Sequence, residues 1–170
     1  MIESPRGRAS TPEEVAYHEA GHVVVGHLLG LDLIDVDVLP DQEGGNGHTN
    51  FRPPPWFDAG RQPPRGESLD ARQRAFVESV VITFLAGSLA EARVAGFRNR
   101  DGDGFDLDAI VSEWLKRLGD REGAEERLAE LGRRAQELVD ANWAAIDRLA
   151  RALLERRRLG AAEALASLAL

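Results

Sequence analysis

Apolar positions recur along the chain with two different periods, and the changes of period divide it into elements. Thr11-Pro12-Glu13-Glu14 opens the first. Thr11 is a helix cap, Pro12 suits the first helical position, and Glu14 completes a capping box. This helix is predicted to run to Leu29 with Gly30 as its stop, and Val23, Val24, Val25, Leu28 and Leu29 mark it as buried. Ile34, Val36 and Val38 then alternate with Asp35 and Asp37, the pattern of a strand with one buried and one wet face, until Pro40. Asp41 to Gly47 reads as a turn-rich connector, His48 to Arg52 as a partner strand, and Pro53 to Gly66 as an irregular loop carrying Trp56 and Phe57. From Ser68 the helical period returns. Val77, Val80, Val81, Phe84 and Leu85 form a stripe that ends near Gly96. A polar loop from Phe97 to Gly104, a helix from about Asp106 to Leu118, and a helical pattern beyond Asp120 with a break near Asn142 complete the chain. Residues 1 to 10 read as a flexible tail and 11 to 170 as one domain. The expected class is mostly α (α+β), with a small early sheet or hairpin.

Composition narrows the functions open to such a fold. At 170 residues the chain buries enough surface to fold without staples, and it has no cysteine. Thiolate zinc sites, cysteine nucleophiles and disulfide scaffolds are thereby excluded. A net charge of −8 argues against nucleic acid as a partner, because phosphate backbones select for cations. Lys116 is the sole lysine and sits in Glu-Trp-Leu-Lys-Arg, not in a glycine loop, so the chain carries no P-loop for ATP. No run approaches the roughly 18 apolar residues of a membrane span, and the first residues lack a signal peptide's apolar core. The expected location is cytoplasmic.

His18-Glu19-Ala20-Gly21-His22 lies in the middle of the first helix. Positions i and i+4 share a helix face, so both imidazoles can address one ion. Glu19, beside the first of them, is placed to take a proton from water held at that ion. Buried histidines and a buried glutamate need partners, and a zinc ion supplies them. A catalytic zinc wants a third protein ligand and an open position. His27 lies on another helix face and reads as packing or surface. His48, in a glycine-rich turn, reads as surface with a substrate-side role as the rival. A carboxylate from further along the chain is therefore expected. Glu91, in the small-residue helix segment Ala86-Gly87-Ser88-Leu89-Ala90-Glu91, competes with the acidic cluster Asp101, Asp103, Asp106 and Asp108. That cluster fails the EF-hand spacing, since Phe105 occupies the fifth position, and spacing alone does not choose between the two regions.

These motifs resemble the peptidase domain of the FtsH-type ATP-dependent zinc metalloproteases. Val15-Ala16-Tyr17-His18-Glu19-Ala20-Gly21-His22-Val23-Val24-Val25-Gly26 is similar to the family's zinc-binding signature. Val36 to Pro40 followed by Gly47-His48-Thr49 resembles its strand and the edge beside the substrate cleft. Ile82 to Gly96 is similar to its small-residue helix, and Gly102 to Leu107 falls where the family carries its third zinc ligand. The resemblance implies a zincin-like fold with Zn2+ on His18, His22 and Asp106, and Glu19 as general base. It makes Glu91 the alternative ligand or a carboxylate that supports a ligand from behind, and Gly47, His48 and Thr49 the substrate-edge strand. The implied activity is hydrolysis of unfolded or short polypeptides without ATP. The alternative is a metal-binding interaction or regulatory module, with little activity unless an AAA ATPase partner acts in trans. Family peptidase domains pack as rings, which makes a homo-oligomer one arrangement the resemblance allows, without choosing it.

Overall fold

The computed structural model describes residues 2–3, 9–40, 46–56, 69–98 and 124–168. Among them the chain is mostly helical, with a small antiparallel sheet, as the patterning predicts. The first helix, α1 (Pro12–Leu28), starts at the predicted capping box. Thr11 Oγ1 accepts the Glu14 N–H at 3.2 Å, and the Glu14 carboxylate accepts the Thr11 N–H at 2.7 Å. Between them they satisfy two donors that every helix start leaves open. Val15, Ala16, Tyr17, Ala20, Val23, Val24 and Val25 are all buried, so α1 is covered on most sides and forms the centre of the core.

Two strands follow, β2 (Asp32–Pro40) and β3 (Asn46–Arg52), antiparallel to each other. The predicted alternation needs correcting here. Ile34 is 44% exposed and Leu33 is buried in its place, because the β2–β3 register shifts between Leu33 and Asp35. A bulge puts two residues opposite one and resets which side faces inward. Val36 and Val38 are buried as predicted. Asp37, expected on the wet face, is buried, and its Oδ1 accepts the Leu39 N–H at 3.1 Å.

The long helix α2 (Ala71–Ala95) has its own capping box from Asp70 and Gln73, and ends at Gly96 with φ +78°. By length and composition α2 is apolar enough to cross a membrane. In this fold it is a core helix between α1 and α3 (Ala124–Ala141), with Val77, Val81, Ile82 and Ala86 buried. Phe97–Arg98 (β4), placed in a loop by the sequence pattern, pairs in parallel with Ile2–Glu3 (β1). The helix expected from Asp106 to Leu118 lies outside the described residues.

Helix α3 presents Leu131, Ala135 and Val139 to the core and its charges to the rim, where Arg127 and Arg134 pair with Glu78. The break at Asn142 occurs as predicted, and α4 (Trp143–Arg156) begins there. Beyond it the helical pattern does not continue. Arg157 takes φ 68°, and Arg158–Gly160 (β5) joins the sheet in the order β3-β2-β5 before the short α5 (Ala161–Ala166). Leu159, paired with Val36, is fully buried.

Tyr17 ties α1 to α4. Its hydroxyl donates to Asp147 Oδ1 at 2.5 Å, and its ring stacks on Trp143 with centroids 5.4 Å apart. Burial, then the Asp147 hydrogen bond and charge, push its pKa up to about 12. An unfolded tyrosine ionises near 10, so this contact contributes stability in full below about pH 10 and loses it as pH rises through about 12. Tyr17 is the chain's single tyrosine, so its near-ultraviolet tyrosinate absorbance reads the site directly. A midpoint near 12 is expected in the folded protein. A midpoint at the free-tyrosine value would contradict the contact.

Candidate active site

His18, Glu19 and His22 all stand on α1 where it is covered by α2 and by β3. The two imidazoles meet edge to face with ring centroids 4.6 Å apart. His18 Nδ1 lies 2.9 Å from Glu91 Oε2, and Glu91, reaching over from α2, is only 3% exposed. Its other oxygen, Oε1, accepts from Ser10 Oγ at 2.7 Å. His22 Nδ1 lies 2.7 Å from the Thr83 carbonyl. A carbonyl only accepts, so the proton of His22 is on Nδ1 and the lone pair on Nε2. Both histidines keep partial exposure, yet the His22 ring is deep enough that lost solvation drives its pKa down to about 3. The His18 charge adds to this and the Thr83 bond opposes it. His22 is therefore neutral across the physiological range, the form that binds metals.

The helices approach closely because small residues line their crossing, as the run Ala86 to Glu91 suggested. A Cβ on Gly21 would lie 2.7 Å from the Ala86 carbonyl oxygen, and one on Gly87 would lie 2.4 Å from His22 Cε1. The imidazole thus occupies the space that a side chain at position 87 would take.

Glu19 is 4% exposed. Burial raises its pKa above the ordinary carboxylate value, while the His18 charge and a hydrogen bond from Thr49 pull it back. Thr49 Oγ1 donates to Glu19 Oε2 at 2.6 Å. Gly47 holds φ +90°, and a Cβ there would come within 2.9 Å of Glu19 Oε1.

Of the residues singled out in the sequence, His18, Glu19, His22 and Glu91 form one cluster, with Gly47 and Thr49 against Glu19. His48 stands close enough that its charge is among those that lower the Glu19 pKa. It alternates with Thr49 along β3, is paired across the strand with Asp37, and has Nδ1 3.8 Å from Asp37 Oδ1 with half its side chain exposed. His27 is exposed at the end of α1. Asp106 lies outside the described residues, and among those described no three His, Asp or Glu side chains converge to hold an ion. The Thr83 carbonyl and Ser10 escaped the sequence reading, since neither residue type at its position signals a partner for histidine or glutamate. Of the signals present, only the small residue at position 87 pointed to the His22 contact.

No protein-family model matches the chain. It is similar to the ATP-dependent zinc metalloprotease FtsH 1 of Symbiobacterium thermophilum, 38% identical over 169 aligned residues that take in 91% of this chain. The chain spans 26% of that relative's length. Nearly all of this chain thus corresponds to about a quarter of an FtsH-type zinc metalloprotease.

Proposed function

We propose that this chain is a zinc metallopeptidase of the FtsH peptidase type, with residues 11–170 as its domain. One observation carries the reading. Two imidazoles sit one helical turn apart with Nδ1 of each engaged, by Glu91 and by Thr83, and a buried carboxylate stands beside them. That donor set fits zinc. With Nδ1 engaged, Nε2 of each histidine would be left to hold the ion, and the anchor would raise its basicity. His18 and His22 would hold the ion, with Asp106 as the third ligand by family resemblance. When bound, zinc would lower the pKa of water and polarise a carbonyl oxygen.

The protein's own groups do the rest. Glu19 takes the proton from the attacking water as its oxygen adds to the peptide carbonyl carbon. It then delivers that proton to the nitrogen as the C–N bond breaks, so carboxylate and net charge are restored. Withdrawal from water suits Glu19 to this exchange, because a carboxylate that binds protons more tightly is the stronger base. The edge strand β3 has β2 on one side and, among the described residues, no neighbour on the other. An extended polypeptide can add there through main-chain hydrogen bonds. Recognition of that kind favours unfolded or short substrates over folded ones.

Bound-metal analysis paired with casein hydrolysis tests the proposal. The expected result is one zinc per chain and cleavage that stops on chelation and returns with zinc. A chain without zinc would overturn the site. Stoichiometric zinc without cleavage would favour the alternative, an FtsH-like module that acts with an AAA ATPase in trans.

A further inference from the structure

We infer that Thr49, together with Gly47, is a positioning residue for Glu19, holding its carboxylate in one orientation beside the histidines. The inference rests on the peptidase reading above and adds a role to two residues that sequence resemblance assigned to the substrate edge.

Residues 47 and 49 are two apart on β3, so they share a face, and the contacts of that face are with α1. Thr49 Oγ1 lies 2.6 Å from Glu19 Oε2 and 3.4 Å from the Glu19 main-chain oxygen. The hydroxyl has one proton, and the shorter contact, to the carboxylate, takes it. Gly47 bounds the other carboxylate oxygen. At φ +90° its missing Cβ would fall 2.9 Å from Glu19 Oε1, 2.9 Å from Val15 Cγ1 and 3.0 Å from the Asp37 carbonyl oxygen. A side chain at this position would meet the carboxylate on one side and the protein's interior on the other.

A glutamate side chain rotates about three torsions, and the helix restricts only the first of them, by disfavouring χ1 near +60°. Here one oxygen is tethered and the other is flanked, so the head group is aimed before any substrate arrives. General-base catalysis requires that aim, because the proton is taken only within hydrogen-bond reach. With their face turned inward, Gly47 and Thr49 do not present side chains to a bound peptide. That leaves the β3 main chain as the recognition edge and His48 on the opposite face.

The test uses the zinc-loaded full chain, a quenched fluorogenic peptide, and Thr49→Val, which keeps the shape but removes the donor. A fall in kcat on the order of 100-fold, the size that a one-ångström misplacement of a reacting group can reach, is expected with KM and zinc content unchanged. Thr49→Ser, which restores the donor, should recover most of the rate. Gly47→Ala is a second variant acting on the other carboxylate oxygen, and it should also lower kcat without loss of zinc. In metal-free melts, Thr49→Val and Glu19→Ala should be non-additive, a readout independent of activity. Equal kcat for Thr49→Val and wild type, no rescue by serine, or additive melts would each overturn the inference and leave the peptidase reading standing. A wild-type chain with no hydrolysis would overturn both.

Discussion

Glu19→Gln is expected to keep its zinc, keep its fold and lose casein hydrolysis by roughly 10²- to 10⁴-fold, the range for removing a positioned general base. The substitution is nearly isosteric, so the pocket that surrounds the side chain need not change. The Thr49 hydroxyl can donate to the amide oxygen as it does to Glu19 Oε2. What disappears is the capacity to take a proton. The stability of the metal-free variant moves the other way. Burial raises the Glu19 pKa, so its contribution to stability is fully present below the unfolded pKa of about 4.3 and is lost as pH rises through the folded value. Above the ordinary carboxylate range the raised pKa therefore costs the fold stability, and an amide, which does not ionise, avoids that cost. A metal-free melting temperature equal to or above wild type, together with inactive zinc-loaded protein, is the signature of a residue kept for chemistry at some cost in stability. Wild-type rates in the variant would remove Glu19 from the mechanism.

The parts of this molecule legible in the sequence are those set by local rules. Thr11 and Glu14 announced the start of α1, the i, i+4 histidines announced a shared face, and Asn142 announced a break between helices. The illegible parts depend on partners far along the chain. A bulge between Leu33 and Asp35 exposes Ile34, and no pattern within β2 encodes it. Arg158–Gly160 is too short to show alternation, yet it becomes a strand because Val36 and Leu159 bury each other across the sheet. The site divides in the same way. Its histidines and glutamate are a motif, whereas the Thr83 carbonyl behind His22 and the Thr49 hydroxyl on Glu19 come from 61 and 30 residues away.

Gly87→Ala is the second substitution with a large expected effect, because one methyl group must find room where His22 already stands. The new Cβ would lie 2.4 Å from His22 Cε1, 2.6 Å from Nε2 and 2.8 Å from Nδ1. Carbon atoms in contact prefer about 3.5–4.0 Å, so the ring or the helix must move. Helix α2 has little room to shift along the crossing, since a Cβ on Gly21 would already lie 2.7 Å from the Ala86 carbonyl oxygen and 2.9 Å from Ala90 Cβ. The ring yields instead, and the 2.7 Å bond from Nδ1 to Thr83 is what it gives up. Loss of such an anchor behind a metal ligand weakens metal binding by about 10- to 100-fold. The strain should cost about 1–3 kcal/mol of stability, against a gain of up to about 1 kcal/mol from replacing glycine in a helix. Gly132→Ala separates these terms. It lies on α3 with nothing within 4 Å of a new Cβ, so the same change there should be neutral or stabilising with zinc affinity unaltered. Chelator competition and thermal melts on the two variants check both signs. If Gly87→Ala binds zinc as tightly as wild type, the position of the His22 ring is not what holds the ion, and the ligand assignment on α1 must be redrawn.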